Sequence, residues 1–343
     1  VRIAVDVMGG DHAPNAILAG CLDAVGLLAP EDRLVLVGDE SIIRKGLAER
    51  GMESEPRVEI EATTQVIGMN ESPVSALREK TDSSIVRWAQ IGAKRAGDRQ
   101  CHAIISAGNT GACVAGAQMF LRRLPGVHRP GIAVTIPTFY GPIVVCDVGA
   151  NPEPRPTHLH QYAHMGSIYA EKIIGVKNPK VALLSIGSEE GKGNSLTRES
   201  AALIKADKRL NYVGYAEGRE LFEGKANVIV TEGFTGNVVL KLAEGLSMGL
   251  FKTITREVMA IDPELAKRFE PVIKSIYRKH DHHEYGGAPL MGANGICLKC
   301  HGSSEARTIV NAVKTALRFV KLNVNEAIVE ALADSVPEEA GKP

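Results

Sequence analysis

Arg2-Ile-Ala-Val-Asp-Val-Met-Gly-Gly-Asp-His-Ala-Pro14 is the stretch on which the fold class turns. Ile3, Val5 and Val7 form a short apolar run suited to a buried strand, and Gly9 and Gly10 permit a tight turn after it. Pro14 is placed to begin a helix, where its missing N–H would have no partner in any case. Ile17, Leu18, Cys21, Leu22, Val25 and Leu28 then recur at helical spacing and define one apolar face. A glycine turn between strand and helix leaves backbone N–H groups at the positive end of a helix dipole, which suits an anion. The same spacing fits a Gly-rich connection that binds nothing, and spacing alone leaves both readings open.

The alternation continues along most of the chain. Residues 33–37 and 57–61 read as strands with a helix over 41–50 between them, and 84–96 as a helix before a strand at 103–106. A helix over 111–124 precedes two strands, 131–136 and 142–147, joined at Tyr140-Gly141-Pro142. Helices at 156–174 and 195–206 alternate with strands at 181–186 and 228–231; a strand at 295–299 and a helix at 303–320 close the pattern. This order predicts an α/β fold: a mostly parallel open sheet with helices on both faces, Rossmann-like in layout. Residues 236–279 break the rhythm with two or three successive helices interrupted at Asp262-Pro263. Leu246, Met248, Leu250, Phe251, Ile254, Val258 and Met259 exceed what one helix stripe needs. The excursion, about 246–285, is expected to project toward a twin subunit or a membrane surface, or else to pack on the domain itself. The expected organisation is a single large α/β domain over residues 1–333 carrying this excursion, then a flexible tail at 334–343.

Composition narrows the partners. Lys+Arg and Asp+Glu both number 40 and aromatic residues are 4%, so neither a basic field nor stacking platforms point to nucleic acid. With 44% hydrophobic and 23% charged residues the chain has a sizeable core. No run of ~18 apolar residues offers a membrane span, and Val1-Arg2-Ile3 leads into a strand without a secretory pattern. Scattered cysteines within apolar runs (Cys21, Cys113, Cys146) fit a reducing, cytoplasmic compartment.

Several predicted strands run into small polar turns: Ser106-Ala-Gly-Asn-Thr-Gly-Ala112, Asp147-Val-Gly-Ala-Asn151, residues 185–194, Thr231-Glu-Gly-Phe-Thr-Gly-Asn237 and His301-Gly-Ser-Ser-Glu305. Carboxyl ends of parallel strands share one edge, so these turns are expected to converge on an anion-accepting cleft. Asn109, Asn151 and Asn237 offer neutral donors and acceptors, and Lys192, Lys241 and Arg307 offer cations. Ser303 and Ser304 precede a helix and are suited to capping it, binding, or both. Asp11 and His12 are the first acid–base candidates and His301 the next, against the ordinary role of a hydrogen-bonded structural histidine.

Two metal-like patterns need weighing. Cys297-Leu-Lys-Cys300-His301 matches covalent haem attachment, but it sits between a strand and a helix in a chain without an export pattern. His280, His282 and His283 with Cys297 and Cys300 have zinc-ligand chemistry, yet a strand would turn the two cysteines to opposite faces. No metal or cofactor is therefore expected. The chain also lacks G-x-S-x-G, a P-loop and G-x-G-x-x-G, which disfavours an acyl-serine enzyme, an ATPase and a standard dinucleotide dehydrogenase.

Taken together these stretches resemble the bacterial acyl-(acyl-carrier-protein):phosphate acyltransferases of phospholipid synthesis, the PlsX type. The resemblance is carried by residues 3–14, 106–112, 147–151, 189–194 (Glu-Glu-Gly-Lys-Gly-Asn), 233–238, Tyr285-Gly-Gly-Ala288 and His301-Gly-Ser-Ser304, in the family's order across nearly the whole chain. Glu232 stands where the family usually has Asp, and Cys300 before His301 is idiosyncratic. The resemblance implies that inorganic phosphate attacks the thioester of a long-chain acyl-carrier protein, giving acyl phosphate for phosphatidic acid synthesis. On that reading phosphate contact is expected of Gly9, Gly10, Asn109, Lys192, Ser303 and Ser304, with Thr110, Asn151 and Lys241 also binding substrate. Asn237 and His301 would polarise the thioester carbonyl, and Asp11 and His12 would orient phosphate or manage its proton. It further implies a homodimer, peripheral contact with the cytoplasmic membrane and delivery of product to a glycerol-3-phosphate acyltransferase. For an acidic carrier protein, Lys267, Arg268, Lys274, Arg278 and Lys279 are docking candidates. Rival readings are a short-chain phosphate acetyltransferase using coenzyme A thioesters, an isocitrate-type dehydrogenase of related architecture, and a non-catalytic acyl-carrier or lipid-binding protein.

Overall fold

The computed structural model describes residues 1–279 and 285–333. The expected tail at 334–343 and the histidines His280, His282 and His283 lie outside the described residues. In chain order the first elements are β1 (Arg2–Asp6), α1 (Asn15–Ala24), β2 (Arg33–Gly38), α2 (Glu40–Glu49), β3 (Val58–Ala62), α3 (Pro73–Glu79), α4 (Ser84–Gly92), β4 (Ala103–Ser106) and α5 (Thr110–Phe120). There follow β5 (Gly131–Ile136), β6 (Ile143–Cys146), α6 (Pro156–Tyr169), β7 (Lys180–Leu184), α7 (Ser195–Ala206), β8 (Asn211–Ala216) and β9 (Val228–Val230). The chain continues through α8 (Gly233–Ile261), α9 (Pro263–Lys279), β10 (Ala288–Met291), β11 (Ile296–Lys299), α10 (Ala306–Lys321) and α11 (Val324–Leu332).

Contacts divide the chain into two compact units. One comprises Val1–Ala133, Glu171–Gly175 and the described residues from Tyr285 on; the other comprises Val134–Ala170 and the described residues from Val176 to Lys279. In the first, strands run in the order β3-β2-β1-β4-β11-β10, parallel except for the antiparallel β10–β11 pair. β4 is buried along its length, as a central parallel strand covered on both faces must be, and its Ala-Ile-Ile-Ser is correspondingly apolar. In the second, β6-β9-β7-β8 pair in parallel. Each unit is thus an open, mostly parallel α/β sheet.

Most helices begin where a polar side chain can take up their first N–H groups. Asp39 caps α2, Asn109 caps α5, Asn194 caps α7 and Glu232 caps α8, each accepting from N–H groups two or three residues on. Two expected helices are shorter than their apolar pattern, and a third keeps its bounds but changes geometry before its end. The 84–96 pattern ends at Gly92, and a 3-10 turn with Gly97 at φ 58° follows. The 111–124 pattern stops at Phe120, two residues before Arg122 adopts φ 64°. The 156–174 pattern leaves α-geometry at Tyr169 and finishes in a π-turn. α8 and α9 form the expected helical excursion and pack on each other. Among the described residues no helix is long and apolar enough to cross a membrane.

Candidate active site

In the first unit the turns after β1, β4 and β11 lie on one another. The Asp11 N–H donates to the Gly302 carbonyl at 2.7 Å. A methyl group on Gly10, which has φ +122°, would meet that carbonyl at 3.1 Å and Ala107 Cβ at 3.2 Å; one on Gly302 would stand 3.1 Å from an Asp11 carboxylate oxygen. Gly9, Gly10, Asp11, His301 and Gly302 are therefore brought together, and α1, α5 and α10 all start beside them. Exposed Asp11, His12, Thr110, His301 and Ser303 line this polar edge.

The edge rests on a buried polar group. Asp6, at the end of β1, accepts from Ser106 Oγ at 2.7 Å and from the Met8 N–H at 3.1 Å. Burial pushes its carboxyl pKa up, against hydrogen bonds from Ser84, Ser106 and Met8 and the charge of Lys299. Ser106 Oγ in turn accepts from the Gly108 N–H at 3.0 Å, so one carboxylate ties the β1 and β4 turns together.

Two of the expected ligand groups are already committed to the scaffold. Asn109 Oδ1 caps α5 at Ala112 N, while Nδ2 donates to the carbonyls of Gly68, Met69 and Glu71 at 3.3, 3.0 and 3.0 Å. Its side chain holds segment 68–71 against the turn. Ser304 is buried, and its Oγ donates to the His301 carbonyl at 2.6 Å. Ser303 differs: its Oγ lies 2.8 Å from His301 Nδ1, and its N–H donates to the same nitrogen at 3.3 Å. An Nδ1 that accepts a backbone N–H carries no proton, so the ring proton of neutral His301 sits on Nε2.

In the second unit the loop after β6 meets the start of α8. The buried Asp147 carboxylate accepts from the N–H groups of Gly149, Ala150 and Asn151 at 3.2, 3.0 and 2.7 Å. The Asn151 carbonyl accepts from Gly233 N at 2.8 Å, and its Nδ2 donates to Tyr162 Oη at 2.8 Å. A methyl on Gly236 would lie 1.9 Å from the Asp147 carbonyl oxygen, so the first turn of α8 can sit here only with glycine. Asn237 follows, exposed, 3.9 Å from the position of a methyl on Gly149. The structure thus brings Asn151 and Asn237 together. Lys192 is exposed in the loop after β7, its Cγ 3.1 Å from a methyl placed on Gly187. Lys241 lies one turn along α8 from Asn237 and pairs with Glu244 at 2.9 Å.

Sequence reasoning passed over Asp6, Ser106 and segment 68–71. Asp6 was visible as a lone acid in an apolar strand, whereas nothing near residue 68 announced a partner 41 residues away. Glu232, left without a role, is the cap of α8, accepting from Phe234 N and Thr235 N at 2.6 and 2.9 Å.

The mostly parallel α/β fold, with strand-end turns that open onto helix starts, is shared by solved structures. A phosphotransacetylase from Streptococcus pyogenes aligns over 94% of each chain with a TM-score of 0.61 at 16% identity. The EutD phosphotransacetylase from Staphylococcus aureus aligns over 95% of this chain and 94% of its own, with a TM-score of 0.58 at 17% identity. At the level of sequence, the model of the family described as "Fatty acid synthesis protein" matches residues 1–327, and the chain belongs to that family. Its relatives include the phosphate acyltransferases of Desulforamulus reducens, 43% identical over 99% of both chains, and of Desulfitobacterium hafniense, 44% identical over 97% of this chain and 98% of that one. The chain is an acyltransferase of the phosphate acyltransferase family.

Proposed function

We propose that the enzyme transfers a long-chain acyl group from an acyl-carrier-protein thioester to inorganic phosphate. An oxygen of HPO4²⁻ attacks the carbonyl carbon and the C–S bond breaks. The proton of the phosphate passes to the departing thiolate, giving acyl phosphate and the free carrier thiol. Phosphate is already an anionic nucleophile, and a thiol of pKa about 8.5 is a fair leaving group, so no nucleophilic side chain is needed. Positioning and oxyanion stabilisation remain for the protein to supply.

The observation that carries this reading is the packing of three strand-end turns, each opening onto a helix start, in the first unit. On it, phosphate is held in the first unit by backbone N–H groups of the Gly9–Gly10 turn and by Ser303, with Thr110 as a substrate-binding residue; Lys192, Lys241 and Asn151 are the substrate-binding residues of the second unit. Asn109 and Ser304 serve by fixing the turns they cap. His301 donates to the developing oxyanion through Nε2–H, while Asp11 and His12 orient phosphate and its proton; Asn237 is the polar donor of the second unit. The test is thiol release from acyl-carrier-protein thioester and phosphate. Asn237→Ala and Lys192→Ala should each lower turnover about 10²-fold with little change in melting temperature, since both side chains are exposed. Wild-type rates in both would remove the assignments, and equal turnover of a short-chain coenzyme A thioester would favour the acetyltransferase reading.

The same proposal includes a homodimer, peripheral attachment to the cytoplasmic membrane and hand-over of acyl phosphate to a glycerol-3-phosphate acyltransferase. Its support is the exposed apolar series Phe234, Val238, Leu242, Leu246, Leu250 and Ile254, repeating every four residues along α8. Lys267 and Arg268 of α9 remain docking candidates for an acidic carrier, with Lys274, Arg278 and Lys279, whose side chains lie outside the described ones.

A further inference from the structure

Helix α6 and helix α7 pack together in the second unit, and their seam holds a polar cluster that the acyl-transfer chemistry does not use. His160 and His164 are one turn apart on α6, so both rings leave the same face. His160 Nε2 lies 3.0 Å and His164 Nε2 2.8 Å from Oδ2 of Asp207, the residue that ends α7. The rings are perpendicular, at 87°, with centroids 5.0 Å apart. The side chains are 8%, 5% and 11% exposed. Helix seams are normally apolar, and a Leu or Val at these two positions would fit the periodicity of α6. Here three donor atoms, each within 4.8 Å of the others, converge instead.

The geometry points to a divalent transition-metal site of the zinc class, held by His160, His164 and Asp207. Two imidazoles at i and i+4 of one helix and a carboxylate from a second segment form a three-ligand set suited to zinc, with the fourth position left to water. Tetrahedral bonds of about 2.0–2.1 Å place ligand atoms about 3.3 Å apart, so each Nε2–Oδ2 distance opens by less than about 0.6 Å on binding. Each histidine moves its remaining proton to Nδ1 and gives the Nε2 lone pair to the ion. Arg209 Nε donates to Asp207 Oδ1 at 2.9 Å and its terminal nitrogen contacts Oδ2 at 2.7 Å. The guanidinium, 46% exposed, keeps the Oδ1 bond and yields Oδ2, so it orients the carboxylate as an outer partner of the ion.

The test uses untagged full-length protein stripped with a chelator. Zinc is added at micromolar concentration, and bound metal is measured after dialysis in wild type and in the double variant His160→Leu, His164→Val. The expected result is one zinc per wild-type chain lost in the double variant, with a zinc-dependent rise in melting temperature of about 4 °C at a hundredfold excess over Kd. Zinc bound equally by both proteins overturns the assignment, and so does failure of the wild type to retain zinc. Cobalt(II) added to the wild type gives a second reading that needs no variant to fold. Visible absorption of a low-coordinate nitrogen–oxygen site supports the proposal, whereas near-ultraviolet thiolate charge-transfer bands would place the metal on cysteines and refute it.

Discussion

Replacing Gly9 by Ala puts a methyl carbon 2.4 Å from Asp6 Oδ2, 2.7 Å from Gly108 N and 2.8 Å from Gly108 Cα. The nearest approach is about 1 Å short of an ordinary 3.4 Å contact. Neither neighbour yields cheaply. Asp6 is buried and bonded to Ser106 and Met8, and the Gly108 contacts are backbone. The strain of an overpacked site of this kind is about 1–3 kcal/mol, which lowers the melting temperature by roughly 1.5–4 °C. The strain is relieved by lifting the turn that carries Gly10 and Asp11, and a displacement near 1 Å in a positioned site costs about 10²-fold in rate. The assay is thermal unfolding together with thiol release at saturating phosphate. Gly26→Ala is the control, because a methyl there meets nothing within 4 Å and the backbone has no positive φ; it should lie within about 0.5 kcal/mol of wild type. A Gly9→Ala protein that melts and turns over like wild type would refute the packing argument. One that melts lower yet turns over fully would refute the link between this turn and the chemistry.

Asn109→Ala loses the α5 cap and the shared donor of three carbonyls, and should cost about 2–3 kcal/mol in urea unfolding; Asn109→Asp keeps the cap but turns a carboxylate oxygen onto those carbonyls and should not recover the loss, and no loss in the Ala variant would refute the bracing role. All six cysteines are buried, and burial pushes the thiols of Cys101 and Cys113 up to about 11 and that of Cys300 to about 12. Native protein at pH 8 should therefore react slowly with a thiol reagent and yield six equivalents once unfolded, so the thiol-release assay reads substrate alone; rapid labelling of native protein would contradict the burial. Leu246→Ser with Leu250→Ser, at side chains 60% and 54% exposed, should weaken binding to anionic vesicles by about 2 kcal/mol, some thirtyfold. Unchanged flotation would separate α8 from any membrane role.

The elements best read from sequence are those whose burial imposes a local pattern. Residues 103–106, 131–136 and 195–206 are observed with the expected bounds, because a strand covered on both faces must be apolar throughout and a surface helix must repeat every three to four residues. β8 escaped notice because it is half-exposed and carries Gly214 at φ +95°, so it shows neither a continuous run nor alternation. β10 escaped because Pro289 interrupts it, and α3 because seven residues are too few to display a period.

For the site, the sequence by itself determined which turns are small, polar and placed between a strand and a helix, since glycine, asparagine and serine record a local backbone need. It could not say which of those polar groups are already in use. Asn109 is consumed by carbonyls up to 41 residues away, whereas Ser303 sets the tautomer of a histidine two residues from it. Likewise His160 and His164 announce their shared helix face, but only the folded chain brings Asp207, 47 and 43 residues on, to their ring nitrogens. Local pattern is written by backbone conformation and burial, which each residue carries with it. Hydrogen-bond and ligand partnership depends on distances that exist only after distant segments have packed.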